Sequence, residues 1–110
     1  MPQTHRVLGQ AAPADTNNAD LYTTPAATQA IVSTVTVANI TATAATFRIA
    51  VRPAGASIAN QHWIAYDVSL GGADAVTLTL GVTLAATDVL TVRSGTANAL
   101  AFSAFGVEIT

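Results

Sequence analysis

Apolar side chains recur at every second position over much of this chain. Phe47, Ile49 and Val51 alternate with Thr46, Arg48, Ala50 and Arg52. Ile64, Tyr66, Val68 and Leu70 alternate with Ala65, Asp67 and Ser69, and Val76, Leu78 and Leu80 with Ala75, Thr77 and Thr79. A two-residue period puts successive side chains on opposite faces of a strand, whereas a helix needs apolar residues three and four apart. The helical spacing is missing, so the chain reads as all-β. The 24 Ala favour helix, but 34 of the 110 residues are Thr, Val or Ile, whose branched Cβ suits strands.

Strands are predicted over residues 20–24, 29–38, 47–52, 63–70, 75–80, 88–93 and 99–109. Pro25 ends the first because it cannot donate to a ladder. Pro53-Ala54-Gly55 marks a turn, and Gly71-Gly72 reads most simply as a hairpin joining 63–70 to 75–80. In the last strand the apolar positions shift from Leu100 and Phe102 to Phe105, Val107 and Ile109, which predicts a β-bulge near Ser103. Seven or so short strands at this spacing imply a two-sheet antiparallel β-sandwich, Ig-like or jelly-roll-like. The expected core is Ile31, Val35, Val37, Phe47, Ile49, Val51, Tyr66, Val68, Leu78, Leu80, Leu90, Val92, Phe102 and Phe105. Residues 1–19 carry Pro2, Pro13, Asn17 and Asn18 without a period, and read as an extended N-terminal arm before a domain over 20–110. Val7 and Leu8 form an apolar pair in that arm, which is expected to lie on a neighbouring subunit.

Composition narrows the function. Charged residues make up 9% of the chain, against roughly 25% in ordinary soluble domains. Four Arg, no Lys and six acids give a net charge of −2, which argues against a nucleic-acid or anionic-membrane partner. There is no Cys, so disulfides and thiolate chemistry are excluded. MPQTHRVLGQ has no apolar stretch of a secretory leader, and no run reaches the 18 apolar residues of a membrane span. The outward strand positions hold mostly Thr, Ala and Ser, a surface low in side-chain entropy. Lys, a common blocker of exposed sheet edges, is missing. Such surfaces are expected to be covered by identical copies or by a larger particle.

Chemistry-bearing motifs are scarce. His5 and His62 have no metal-binding spacing. Asp67 beside Trp63 and Tyr66 invites a glycosidase reading, but that needs a second carboxylate across a cleft, and Asp74 and Asp88 sit at turns. No GxSxG elbow occurs, Gly71-Gly72 is too short to cradle phosphate, and the Asn39-Ile40-Thr41 sequon arises readily in a Thr-rich chain. The chain therefore reads as non-enzymatic, with no catalytic, cofactor-binding or metal-ligating residues. Trp63, opposite in parity to Ile64 and Tyr66, is expected to face outward as an interface anchor. Val7, Leu8, Trp63 and Asp67 are the candidate interface residues.

Several segments resemble one group of proteins. Leu21-Tyr22-Thr23-Thr24-Pro25-Ala26 is similar to the "LYTVPA" opening of small β domains in the virion proteins of tailed bacteriophages, with Thr24 standing where Val is common. The run from Thr46 to Gly55 resembles their "TFRIAVRPAG" segment, and His62–Val68 and Phe105–Ile109 fit as well. The resemblance implies a virion component made in the host bacterial cytoplasm, and carries no catalytic role. Together with the surface, it leads to the expectation of a capsid decoration or cement protein. Such a protein would be a homo-oligomer, expected as a trimer, packed on the major capsid protein, without nucleic acid, membrane or cofactor. The alternative is a tail or tail-fibre module contacting host-surface glycans, which an exposed aromatic–acid cluster at Trp63 and Asp67 would favour.

Overall fold

Alternating β-branched and small residues give eight strands and no α-helix among the described residues. The computed structural model describes residues 2–110. The strands are β1 (Gln3–Ala11), β2 (Ala19–Thr23), β3 (Gln29–Asn39), β4 (Ala45–Arg52), β5 (Trp63–Leu70), β6 (Ala75–Leu84), β7 (Val89–Ser94) and β8 (Leu100–Ile109). The first sheet has the order β1-β8-β3-β6 and the second β2-β7-β4-β5. All pairs are antiparallel, and they nest: β4 with β5, β3 with β6, β2 with β7, β1 with β8. Eight strands folded in this way form a jelly roll, one of the two expected kinds of sandwich.

The nesting corrects one expected connection. Gly71-Gly72 does lie in a tight turn, closed by Asp74 N–H on the Gly71 carbonyl at 3.2 Å. It is not a hairpin, because β5 pairs with β4 and β6 with β3, so the turn carries the chain from one sheet to the other. Gly72 lies against the backbone of Ala42 and Thr43, where any side chain would overlap it.

The core fills the space between the sheets. Phe47, Ile49, Leu90 and Val92 of the second sheet meet Val32, Val35, Val37, Leu84, Leu100 and Phe102 of the first. Phe47 and Phe102 meet edge to face, with centroids 6.5 Å apart. Of the expected core, Leu78, Leu80 and Val51 are half-buried against it, and Ile31 is half-buried on its strand. Tyr66, Val68 and Phe105 are exposed.

Phe105 is outward because β8 has no bulge of its own. Its even-numbered residues Leu100, Phe102 and Ala104 face inward throughout. The extra residues sit in its neighbours. Ser33 is inserted in β3 between Val32, opposite Gly106, and Thr34, opposite Phe105. Leu8 is inserted in β1 between Val7, opposite Phe105, and Gly9, opposite Ala104. The bulge at Ser33 lets both Val32 and Val35 point inward although they are three residues apart. The odd-numbered apolar residues at the end of β8 therefore belong to the outer face of the sheet.

Residues 1–19, expected as an arm, are extended over 3–11, but those residues pair with β8 of the same chain. Leu8 is buried in the chain's own core and not free for a neighbour. Only Leu8 is buried along β1, and a strand with a single inward anchor leaves no period in its sequence. Gly9 lies tight against the Leu21 carbonyl of β2, which lets the two sheets close along that edge.

Candidate functional site

The outer face of the second sheet is shaped by two irregularities in β5, an edge strand. Phe47 pairs with Val68 and Ile49 with Ala65, so two steps of β4 match three of β5. Asp67 takes a left-handed backbone conformation there, with φ +51°. A bulge of this kind turns two consecutive side chains toward one side. Here both Tyr66 and Asp67 reach Arg48, which projects outward from β4 between the inward Phe47 and Ile49.

Asp67 grips Arg48 with both oxygens, accepting from Nε at 2.6 Å and from Nη2 at 3.1 Å. The guanidinium carbon lies 3.9 Å from the centre of the Tyr66 ring and 5.4 Å from that of Trp63. The two rings meet edge to face at 5.4 Å. Hydrogen bonds from Arg48 hold the Asp67 carboxyl below the usual carboxylate range, and Asp67 in turn raises the Arg48 pKa. Asp67 thus stays ionised with both oxygens engaged, and the cluster is preorganised.

Much of this edge is apolar and uncovered. Ile64 is 46% exposed, Tyr66 56% and Val68 40%. Trp63 faces outward and is half-buried by its contacts with Tyr66 and Arg48. It leaves the short 3₁₀ turn Asn60–His62, which buried His62 fastens by accepting the Ala59 N–H at Nδ1, 3.0 Å away.

Beside Arg48 on the same face, directly opposite it on β7, stands Arg93. Each of the other three arginines has a carboxylate partner: Arg6 with Glu108, Arg48 with Asp67, Arg52 with Asp20. Arg93 has none among the described residues; its Nε donates to the Thr16 carbonyl at 2.7 Å. A polar cavity of about 290 Å³ opens here, lined by Thr16, Thr46, Arg48, Asp67, Arg93 and Gly95.

The structure separates the four candidate interface residues. Trp63 and Asp67 join one cluster through Arg48. Val7 lies on the outer face of the other sheet, 46% exposed and paired with Phe105, which lines a hollow together with Ile31 and Val107. Leu8, its neighbour in sequence, is in the core. Sequence reasoning did not single out Arg48 and Arg93. Alternation along β4 did turn Arg48 outward, but nothing local marked the residues that would meet it.

Asn39 of the sequon is buried. Its Nδ2 donates to the Thr43 and Leu70 carbonyls, and its Oδ1 accepts from the Thr41 N–H and hydroxyl. Among the described residues, no group of three or more His, Cys, Asp or Glu could hold a metal ion. No protein-family model matches the chain, and no curated protein matches it.

Proposed function

We propose that this chain is a non-enzymatic structural protein of a tailed-phage virion, a decoration or cement protein that assembles as a trimer on the major capsid protein. The observation that carries this reading is the β5 edge, where Ile64, Tyr66 and Val68 stand exposed beside a Trp63–Arg48–Tyr66 stack. Trp, Tyr and Arg are the residues over-represented at the energetic centres of interfaces. Large apolar side chains concentrated on one edge mark a surface that a partner covers. The two bulges make backbone pairing along β5 irregular, so side chains and not a shared ladder would form the contact. The likeness of Leu21–Ala26 and Thr46–Gly55 to virion β domains supports the setting.

Light scattering coupled to size exclusion tests the assembly. A trimer at micromolar concentration is expected, with the double variant I64S/Y66A reduced to monomer. A wild-type monomer under these conditions overturns the reading. Counting copies per virion tests the location, since hundreds fit a capsid and a few to tens fit a tail.

A second reading, a tail or tail-fibre module contacting host-surface glycans, is favoured by the aromatic–acid group of exposed Tyr66 and Asp67 beside half-buried Trp63.

A further inference from the structure

We infer that the cavity between Arg93 and Asp67 is a binding site for a carboxylated saccharide, one acidic sugar unit at a time. The inference rests on the second of the two readings above and names the ligand class for it. Arg93 is the anchor. Its Nε is committed to the Thr16 carbonyl, which fixes the plane of the guanidinium while leaving its terminal nitrogens without a carboxylate. A guanidinium held in this way presents a fork that matches a carboxylate with two parallel hydrogen bonds.

Arg48 cannot take that role. It is already gripped by Asp67 and stacked against two rings. The lining therefore holds two arginines and one aspartate, a local charge of +1 on a chain whose net charge is −2. That excess suits one anionic group and not a run of them.

The rest of the lining suits hydroxyls. Thr16 and Thr46 line the cavity, and neither hydroxyl makes a hydrogen bond among the described residues; a free hydroxyl can both donate and accept. Asp67 adds acceptor lone pairs left over from Arg48. A sugar ring needs this mixture of donors and acceptors, whereas an acidic peptide would bring further carboxylates toward Asp67. The volume, about 290 Å³, lies at the small end of ligand sites, which suits a monosaccharide unit. The Tyr66 ring, 56% exposed and in contact with Arg48 of the lining, offers apolar surface to the next unit of a chain.

The test is an NMR titration of the intact protein with glucuronate, glucose, acetate and a tetraglutamate peptide. Expected is saturable binding of glucuronate near about 1 mM, moving the Thr46 and Gly95 amides and the Arg93 Nε–H signal. Acetate should bind at least about tenfold more weakly, and glucose should leave the signals unmoved. R93Q should abolish the glucuronate response. T46V, which keeps Arg93, should weaken it by about threefold and decides the matter if R93Q does not fold. The inference is overturned if 20-fold excess over that ~1 mM scale of glucuronate moves nothing, or if R93Q and T46V both bind as the wild type does. Acetate binding as tightly as glucuronate reduces the site to an adventitious carboxylate only, and also overturns it. Tighter binding of the tetraglutamate peptide would make the cavity a protein-docking pocket instead. Copy number on the particle judges the tail reading separately, so a tail-borne protein that ignores glucuronate sinks only the ligand.

Discussion

Strands β4 and β5 lie side by side in the second sheet and carry the same spacing of large apolar residues, yet the two bury them differently. β4 has a hydrogen-bonded neighbour on each side, β7 and β5. Its inward residues Phe47 and Ile49 are fully covered, and its outward Arg48 is free to organise a surface. β5 has only β4 beside it, and its register slips twice. The Ile64, Tyr66 and Val68 side chains end up exposed, while Ala65 and Leu70 pack against the core in their place. Alternation assigns a face only while the ladder stays regular, and it promises burial only where something lies beyond the strand.

Substituting across this pair gives the largest contrast. Phe47→Ala should cost about 3–5 kcal/mol, because it opens a cavity against Phe102. Tyr66→Ala should cost under about 1 kcal/mol, the loss of an exposed cation–π contact with Arg48. Thr46→Ala, outward on β4, should match the small value. Urea melts of the three variants check this, and equal losses at 47 and 66 would erase the distinction between the strands.

Asn39 holds the one end of β5 that is inside. It ties Leu70 to the turn after β3. Asn39→Ala removes the side-chain partner of the Leu70 carbonyl and of the Thr41 N–H and should cost about 1–3 kcal/mol in the same melts.

Thr24, just past the opposite edge strand β2, gives a change of the other sign. Its hydroxyl is buried with no hydrogen-bond partner among the described residues. Thr24→Val keeps the shape and removes the desolvated hydroxyl, so it should stabilise the fold by about 1 kcal/mol. A higher midpoint in thermal and urea melts is the expected outcome, and a lower one would mean that the hydroxyl has a partner.

The smallest effect is electrostatic. The Asp67 pKa is lowered in the fold by Arg48, so the pair's contribution is present above the ordinary carboxylate range. It is lost as the pH falls through the depressed folded value. Trp63 is the only tryptophan in the chain, so its emission reports on the cluster. Acidification below the ordinary range should shift that emission while far-ultraviolet CD stays unchanged. In Asp67→Asn the acid step should disappear.

Seven of the eight strands were legible in the sequence because their alternation, turns and prolines are local signals. β1 was not, since Leu8 is its only buried residue. The bulges were not legible either, because an inserted residue is defined only against a partner's register. Leu8, Ser33 and Asp67 look ordinary until Phe105 and Phe47 supply the reference. The parity change before Phe105, Val107 and Ile109 predicted a β-bulge near Ser103 in β8, whereas these residues line an outer face. For the site, parity marked Trp63 and its aromatic neighbours marked Asp67. The Arg48 that joins them comes from another strand, and that Arg93 has no carboxylate partner among the described residues is known only once every other arginine has found its acid.

On loop-closure entropy alone, the nested pairing favours one order of events when the chain folds. β4 and β5 are the only pair adjacent in sequence, so theirs is the shortest loop to close. Once they meet, β3 is brought near β6, then β2 near β7, and each later closure adds little further entropy cost. β1 with β8 comes last, and β8 is not a peripheral addition, because it lies in the sheet between β1 and β3. On the ribosome, β1 and one side of β3 thus wait without a partner until residues 100–109 have emerged, some 90 residues after β1. Folding dominated by such distant contacts falls in the millisecond-to-second range. During that interval the Lys-free strands are bare edges, and crowded nascent chains of this protein are most open to pairing with one another.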